Sequence, residues 1–315
     1  MARVKQLVVY PIKSCRGIDA TTSGAMITRT GFLYDRQWMV VEDSGDSGDK
    51  PKRMITQRKY PALARVRVSI SRPEALVENL EDAELVVSVG DPSASQELRV
   101  PLHPSSQLSG QVSVWEWAGP AIDCGSEAAS FFSSVTKTPC RLVRFPSSNE
   151  SGIHRATDGD YAPSSETAFS DGFPYLVATQ ESLDAVNKEA NDAGLSMDRF
   201  RANIVLEGAG AAFEEDRWAS VILGEGEDEL LFDLVKPCSR CTITTVDQNK
   251  GEVTGREPLA ALNRIHNGAK AGYERAGFPK KWDRVPFFGW NAICDDALVG
   301  RVVRGGTSVR TVDRT

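Results

Sequence analysis

The sequence predicts a β-rich α+β protein in two domains, and three observations carry that expectation. A length of 315 residues is about two domains at roughly 150 residues each. Short alternating runs joined by turn residues fill the chain up to Cys124, the texture of a sheet sandwich or barrel. From Cys124 onward, strand-like runs alternate with short helical patterns. The first domain is expected over residues 1–122 and the second over 123–315, with a long polar loop at 146–171.

In "ALARVRVSI", Val66, Val68 and Ile70 share one face and Arg65, Arg67 and Ser69 the other, the alternation of a half-buried strand. "RQWMVVED" and "ELVVSV" are similarly strand-like, and "EDSGDSGDKPKR" reads as the exposed tip of a hairpin. "CGSEAASFFSSVTK" has the small residues and Phe pair of a short helix. Residues 146–171 are rich in Ser, Asp, Gly and Pro, and loops of that length inside compact domains are often functional. In "YLVATQESLDAVNKEAND" a strand ends at Thr179, which caps a helix bearing Leu183, Val186 and Ala190 on one face. "RFRANIVLEG", "ELLFDLVKP" and "TITTVD" read as strands. "EPLAALNRIHNG" reads as a helix started by Pro258 and ended by Gly268.

Bulk properties narrow the function classes. A net charge of −6 argues against a nucleic-acid binder, which needs a basic face for phosphates. No stretch approaches the ~18 apolar residues of a membrane helix. Six cysteines scattered along the chain without a signal peptide are expected to be free thiols in a reducing compartment.

Two of those thiols form the CxxC of "VKPCSRCTITTVD". A structural zinc needs four ligands, and no second knuckle accompanies Cys238 and Cys241. A redox pair needs a helix N-terminus behind its first cysteine, whereas β-branched residues follow here. Two buried structural thiols are a further reading. Lys236, Ser239 and Arg240 surround the pair, however, and a cationic setting favours a thiolate that binds metal or attacks. Lys13 and Ser14 follow one strand, and Asp35 and Arg36 precede another. Arg201 and Asn203 are expected on one strand face by period two. Together Lys13, Ser14, Arg36, Arg201, Asn203, Ser239 and Arg240 would make an anion pocket with Cys238 or Cys241 at its edge.

The ordered segments "VVYPIKSCRGI", "DRQWMVV", "ITQRKYPALARV", "AFSDGFPYLVATQESLDAVN", "MDRFRANIVLEG" and "KPCSRCTITTVDQNKGE" resemble the MOSC family, more closely its amidoxime-reducing members. The resemblance runs from about residue 4 to residue 305. It implies an N-terminal MOSC β-barrel-like domain and a C-terminal MOSC domain with a β-barrel core and flanking short helices. It further implies a molybdenum cofactor, a phosphate-bearing pterin dithiolene, with Cys241 as the catalytic protein thiolate on molybdenum and Cys238 as a neighbour without a required role. The positions that carry over as cofactor-binding are Lys13, Ser14, Arg36, Asp171, Arg201, Asn203, Ser239, Arg240 and Cys241. Gly172 departs from relatives that carry a hydroxyl residue.

The implied reaction is reduction of small N-hydroxylated compounds such as amidoximes, hydroxylamines and N-oxides. A molybdenum-cofactor or persulfide-sulfur carrier is the alternative. Pyridoxal phosphate, a family-level association of MOSC domains, is not expected. Asp247 and His154 are proton-donor candidates by location. With no nucleotide fingerprint or ferredoxin cysteine spacing in the chain, cytochrome b5 and NADH-cytochrome b5 reductase are the expected electron donors. The expected location is intracellular and cytosolic, with mitochondrial association following from the family.

Overall fold

The computed structural model describes residues 1–43, 50–90, 97–104, 108–146 and 152–314. Its largest element is an eight-stranded mixed sheet in the order Ile18–Asp19, Arg3–Val9, Ile204–Glu207, Tyr175–Thr179, Phe287–Cys294, Leu230–Ser239, Trp218–Leu223, Val309–Asp313. Strands Tyr175–Thr179 and Ile204–Glu207 are parallel, so their connection must cross over, and it carries the helix Gln180–Glu189. Thr179 caps that helix by accepting from the Ser182 N–H, and Leu183 and Val186 bury its inner face, as the spacing predicts. The N-terminal strand Arg3–Val9 pairs antiparallel with Ile204–Glu207. That pairing puts the chain leaving Val9 and the chain entering Ile204 at the same end of the sheet, so Lys13 and Ser14 meet Arg201 and Asn203 there.

The first half folds as a nearly closed barrel. A five-stranded sheet runs in the order Trp38–Glu42, Cys140–Arg144, Trp117–Asp123, Leu108–Val114, Lys52–Arg53. A bridge from Met54 to Val41 brings its last strand back to its first. Met39, Val41, Val112, Val114, Ala121 and Val143 fill the inside, joined by Phe145, Ala168 and Phe169. Burying each large apolar side chain contributes about 1.5–3 kcal/mol. Phe169 comes from the polar loop, which therefore anchors itself in the barrel. The helix Gly125–Thr136 and the strand Cys140–Arg144 lie beyond the expected boundary at 122/123, and that strand pairs with Trp38–Glu42 and Trp117–Asp123. Strand Val66–Ile70 alternates as expected, Val66, Val68 and Ile70 inward, in a separate sheet with Glu84–Val89 and Leu98–Pro101.

Several local expectations are corrected. "TITTVD" is not one strand: Thr242–Thr245 is a single 3-10 turn and only Val246–Asp247 is extended. The Thr244 and Thr245 hydroxyls donate to the carbonyls of Cys241 and Thr242, at 3.0 and 2.8 Å. Such local bonds compete with a sheet ladder. Arg201 precedes its strand in a left-handed conformation, φ 59°, so period two is not what aligns it with Asn203. Gly268 opens the next short helix, Gly268–Ala271, instead of closing Leu259–Ile265. A Cβ there would stand 2.4 Å from the Trp282 carbonyl oxygen, so close approach demands the glycine. Of the expected hairpin tip, residues 44–49 lie outside the described residues, as do 147–151 of the polar loop.

Candidate functional site

A cavity of about 130 Å³ lies where these segments converge, walled by Lys13, Ser14, Arg36, Asp171, Arg201, Asn203, Ser239, Arg240 and Cys241, with Cys238 beside them. The structure thus brings all the expected cofactor-binding positions to one place. An outer vestibule of about 730 Å³ shares Arg58, Asp171, Phe173, Cys238, Cys241 and Asn291 with it. Ser14, Arg36 and Arg201 have φ of 68°, 48° and 59°. Left-handed backbone costs a non-glycine residue about 1–2 kcal/mol, and such strain clusters where function requires it. Strand Leu230–Ser239 reaches the cavity through register shifts between Leu234 and Lys236 and between Pro237 and Ser239, the kind of bulge that re-aims side chains beside active sites.

The charges divide into compensated and uncompensated ones. Lys13 Nζ donates to Asp171 Oδ1 at 2.6 Å and to the Phe169 carbonyl at 2.8 Å. Burial lowers the Lys13 pKa, with the Asp171 charge acting against the shift. The packing around Asp171 works against its charged form, yet Lys13 and the Trp115 indole N–H hold its carboxyl below the usual carboxylate range. Its side chain is 70% accessible, so solvent screens part of that attraction. Arg36 donates to both oxygens of the fully buried Asp35 at 2.8 and 2.6 Å. Asp35 is pushed up by burial and held back chiefly by Arg36. Asn203 donates to Asp35 and to the Val8 carbonyl, and accepts from Arg36 and the Leu176 N–H. Its side chain is therefore fully used within the fold, bracing the Arg36–Asp35 pair and tying strands Arg3–Val9 and Tyr175–Thr179 together.

Arg201 and Arg240 are different. Arg201 donates to the Cys15 carbonyl at 2.6 Å, and Arg240 to the Phe200 carbonyl at 2.7 Å. Neither has a carboxylate partner within salt-bridge distance among the described residues. Arg201 Nη2 and Arg240 Nε are buried without a hydrogen-bond partner there, an arrangement that costs free energy unless an acceptor arrives. Burial, then the neighbouring Arg36, brings the Arg201 pKa down to about 10, which leaves it charged at neutral pH. Both Arg36 and Arg201 pack on the Tyr10 ring, 4.4 and 4.3 Å from its centroid. Chemically this arrangement can receive an anion, and the Cys241 sulfur on the same wall offers a soft donor atom.

Sequence reasoning gave no role to several residues of this region. Tyr10 and Arg58 lay inside quoted segments, where a Tyr or an exposed Arg carries no distinguishing signal. Arg155 donates to the carbonyls of Ala168, Ser170 and Asp171 and so shapes the loop that carries Asp171. Trp115 is 44% exposed with φ 54°, donates to Asp171 and packs against Arg58. Neither proton-donor candidate lines the cavity or the vestibule. Asp247 accepts from Arg199 and from the Asn249 and Lys250 N–H groups, and His154 pairs with Glu166. A Cβ on Gly172 would meet nothing within 4 Å, so the site has room for the hydroxyl residue of its relatives. All six cysteines are free. Among the described residues no His, Cys, Asp or Glu cluster offers the further ligands that zinc at the CxxC would need.

Comparison with known proteins bears on the family. Residues 1–139 match the MOSC N-terminal beta barrel domain, and residues 164–314 match the MOSC domain. The chain is 30% identical to mitochondrial amidoxime-reducing component 1 of Mus musculus, over 82% of this chain and 70% of that protein. It is 32% identical to mitochondrial amidoxime reducing component 2 of Bos taurus, again over 82% and 70%. Molybdenum cofactor sulfurase of Anopheles gambiae is 28% identical over 84% of this chain and 33% of that protein. No helix among the described residues is long and apolar enough to cross a membrane. With both domain models matched in order and relatives at this level of identity, the chain belongs to the molybdenum-cofactor-related MOSC family of the mitochondrial amidoxime-reducing component type.

Proposed function

We propose that the protein is a molybdenum-cofactor-dependent reductase of N-hydroxylated compounds such as amidoximes, hydroxylamines and N-oxides. The observation that carries this reading is the meeting of two uncompensated guanidinium groups and the Cys241 sulfur on one strained cavity wall. Arg201 and Arg240 suit the phosphate of a pterin cofactor, since a guanidinium offers forked donors to an oxyanion. Lys13, Ser14, Ser239 and the Asn203-braced Arg36 suit its remaining polar edge, with Asp171 setting the Lys13 ammonium in place. Cys241 would supply the protein sulfur to molybdenum. When bound, such a cofactor supplies two-electron oxygen-atom chemistry, while the protein contributes binding, orientation and electrostatics.

The vestibule gives a small substrate room to reach Cys241, and Phe173, Trp115 and Asn291 form part of its wall. Lys13 is a buried proton carrier on the cavity wall, bonded to Asp171, which borders both spaces, and is better placed than Asp247 or His154. Electrons would come from cytochrome b5 and NADH-cytochrome b5 reductase, in an intracellular setting with mitochondrial association. The division near residue 122 into a barrel domain and a cofactor-binding domain belongs to the same proposal.

The sulfurase relative favours one second reading, a molybdenum-cofactor or persulfide-sulfur carrier. Protein from a host that makes the molybdenum cofactor separates the two when molybdenum content and benzamidoxime reduction under an artificial reductant are measured together. The reductase reading predicts bound molybdenum with turnover. Bound molybdenum without turnover would favour the carrier, and protein devoid of molybdenum would contradict the reductase.

A further inference from the structure

Cys238 contacts the cavity differently from Cys241. It lies where the ladder of strand Leu230–Ser239 skips a residue between Pro237 and Ser239, and its Sγ accepts a hydrogen bond from Arg240 Nη1 at 2.8 Å. The other Arg240 terminal nitrogen donates to the Phe200 carbonyl at 2.7 Å, and the Arg240 backbone N–H donates to the Pro286 carbonyl at 2.8 Å. The guanidinium is thereby fixed at both of its ends. Its Nε stays buried and unpartnered among the described residues. From this arrangement we infer that Cys238 is a positioning residue: its sulfur orients Arg240 so that the guanidinium meets an oxyanion in the cavity.

The chemistry of the acceptor matters. Arg36, on the wall of the same cavity, is held by the Asp35 carboxylate, which orients it but also offsets its charge. A sulfur acceptor orients Arg240 without setting a full carboxylate charge beside it. The guanidinium then keeps its attraction for an anion while losing its rotational freedom, and ordering a side chain in advance spares that cost on binding. This inference rests on the anion-cavity reading above and goes beyond it by giving the first cysteine of the CxxC a distinct task.

The test is calorimetric titration of inorganic phosphate into the full chain prepared without cofactor, for wild type, Cys238→Ser, Cys238→Val, Cys238→Asp and Arg240→Gln. Ordering a long side chain in advance is worth about two- to tenfold in affinity, so Cys238→Val should bind phosphate more weakly by about that factor. Cys238→Ser, which keeps an acceptor, should stay close to wild type, and Cys238→Asp should fall to the level of Arg240→Gln because its carboxylate neutralises the guanidinium. Adding Cys238→Val to Arg240→Gln should bring no further loss, since the two act through one group. A purely structural role would not produce rescue by Ser together with loss by Asp. Wild-type affinity in Cys238→Val, or additive losses in the double variant, would overturn the inference alone. If Cys238→Val fails to fold, the Ser and Asp pair decides: equal affinities for those two would overturn it. A wild-type chain that binds no phosphate would overturn the anion cavity and this inference with it.

Discussion

The cavity and the cluster around His266 and Asp216 are both buried polar assemblies, and they differ in what they leave open. Asp216 Oδ2 pairs with His266 Nε2 at 2.7 Å, while its Oδ1 accepts from the Tyr273 hydroxyl and the Trp290 indole, both at 2.8 Å. His266 Nδ1 donates to the Phe287 carbonyl at 2.9 Å, and the Phe213 ring stacks on the imidazole at 3.8 Å. None of these polar atoms is orphaned among the described residues. Around the cavity, Arg201 and Arg240 keep buried donors without acceptors, and the backbone at Ser14, Arg36 and Arg201 is strained. A satisfied network stabilises a fold; an unsatisfied, strained one is kept for something that binds there.

The comparison can be broken by moving each cluster separately. Asp216→Ala strands the His266 imidazolium, the Tyr273 hydroxyl and the Trp290 N–H, and should cost about 3–5 kcal/mol in chemical denaturation with phosphate affinity intact. A drop in affinity without loss of stability would reverse the assignment of roles. Arg201→Gln should do the opposite, weakening phosphate binding about tenfold while changing the unfolding free energy by less than about 1 kcal/mol.

The pH dependence sharpens the same contrast. Burial pushes the Glu215 carboxyl up to about 7, with Ser182 and Thr179 only partly offsetting it. Burial would lower the His266 pKa, but the hydrogen bond and charge of Asp216 override it and raise it. Both groups bind protons more tightly folded than unfolded, so their contributions are largest at low pH and fade as pH rises through the folded values. The carboxylates held below their usual range, Asp123 and Asp247 among them, act in the opposite sense only at lower pH. The melting temperature should therefore fall between pH 5.5 and pH 8, over a window that begins above the ordinary ~4.3 of a glutamate. Glu215→Gln should flatten that slope, and an unchanged slope would remove Glu215 from the account. The smallest expected effect is Ser14→Gly, which relieves left-handed strain at φ 68° and should gain about 1 kcal/mol or less in thermal melts.

Much of this was legible in the chain itself. The Thr179 cap and the inward Val66, Val68 and Ile70 follow from local rules of hydrogen bonding and alternation, and both elements are there. The cavity residues could be picked as polar groups near strand ends, but their meeting depends on pairing Arg3–Val9 with Ile204–Glu207, about which periodicity is silent. The left-handed backbone at Ser14, Arg36 and Arg201 was hidden for a different reason, because no side chain there favours it and tertiary contacts impose it. The threonine run after Cys241 misled through its β-branching, since hydroxyl-to-carbonyl bonds won over extension. Asn203 was legible as a polar residue of the site, and only its four partners reveal that it braces the Arg36–Asp35 pair and two strands.

The most direct test of the central claim is molybdenum content, measured side by side for wild type, Cys241→Ser and Cys238→Ser from a host that makes the cofactor. The account predicts close to stoichiometric molybdenum in wild type and Cys238→Ser, and loss of most of it in Cys241→Ser. Molybdenum retained in Cys241→Ser, or absent from wild type, would contradict it.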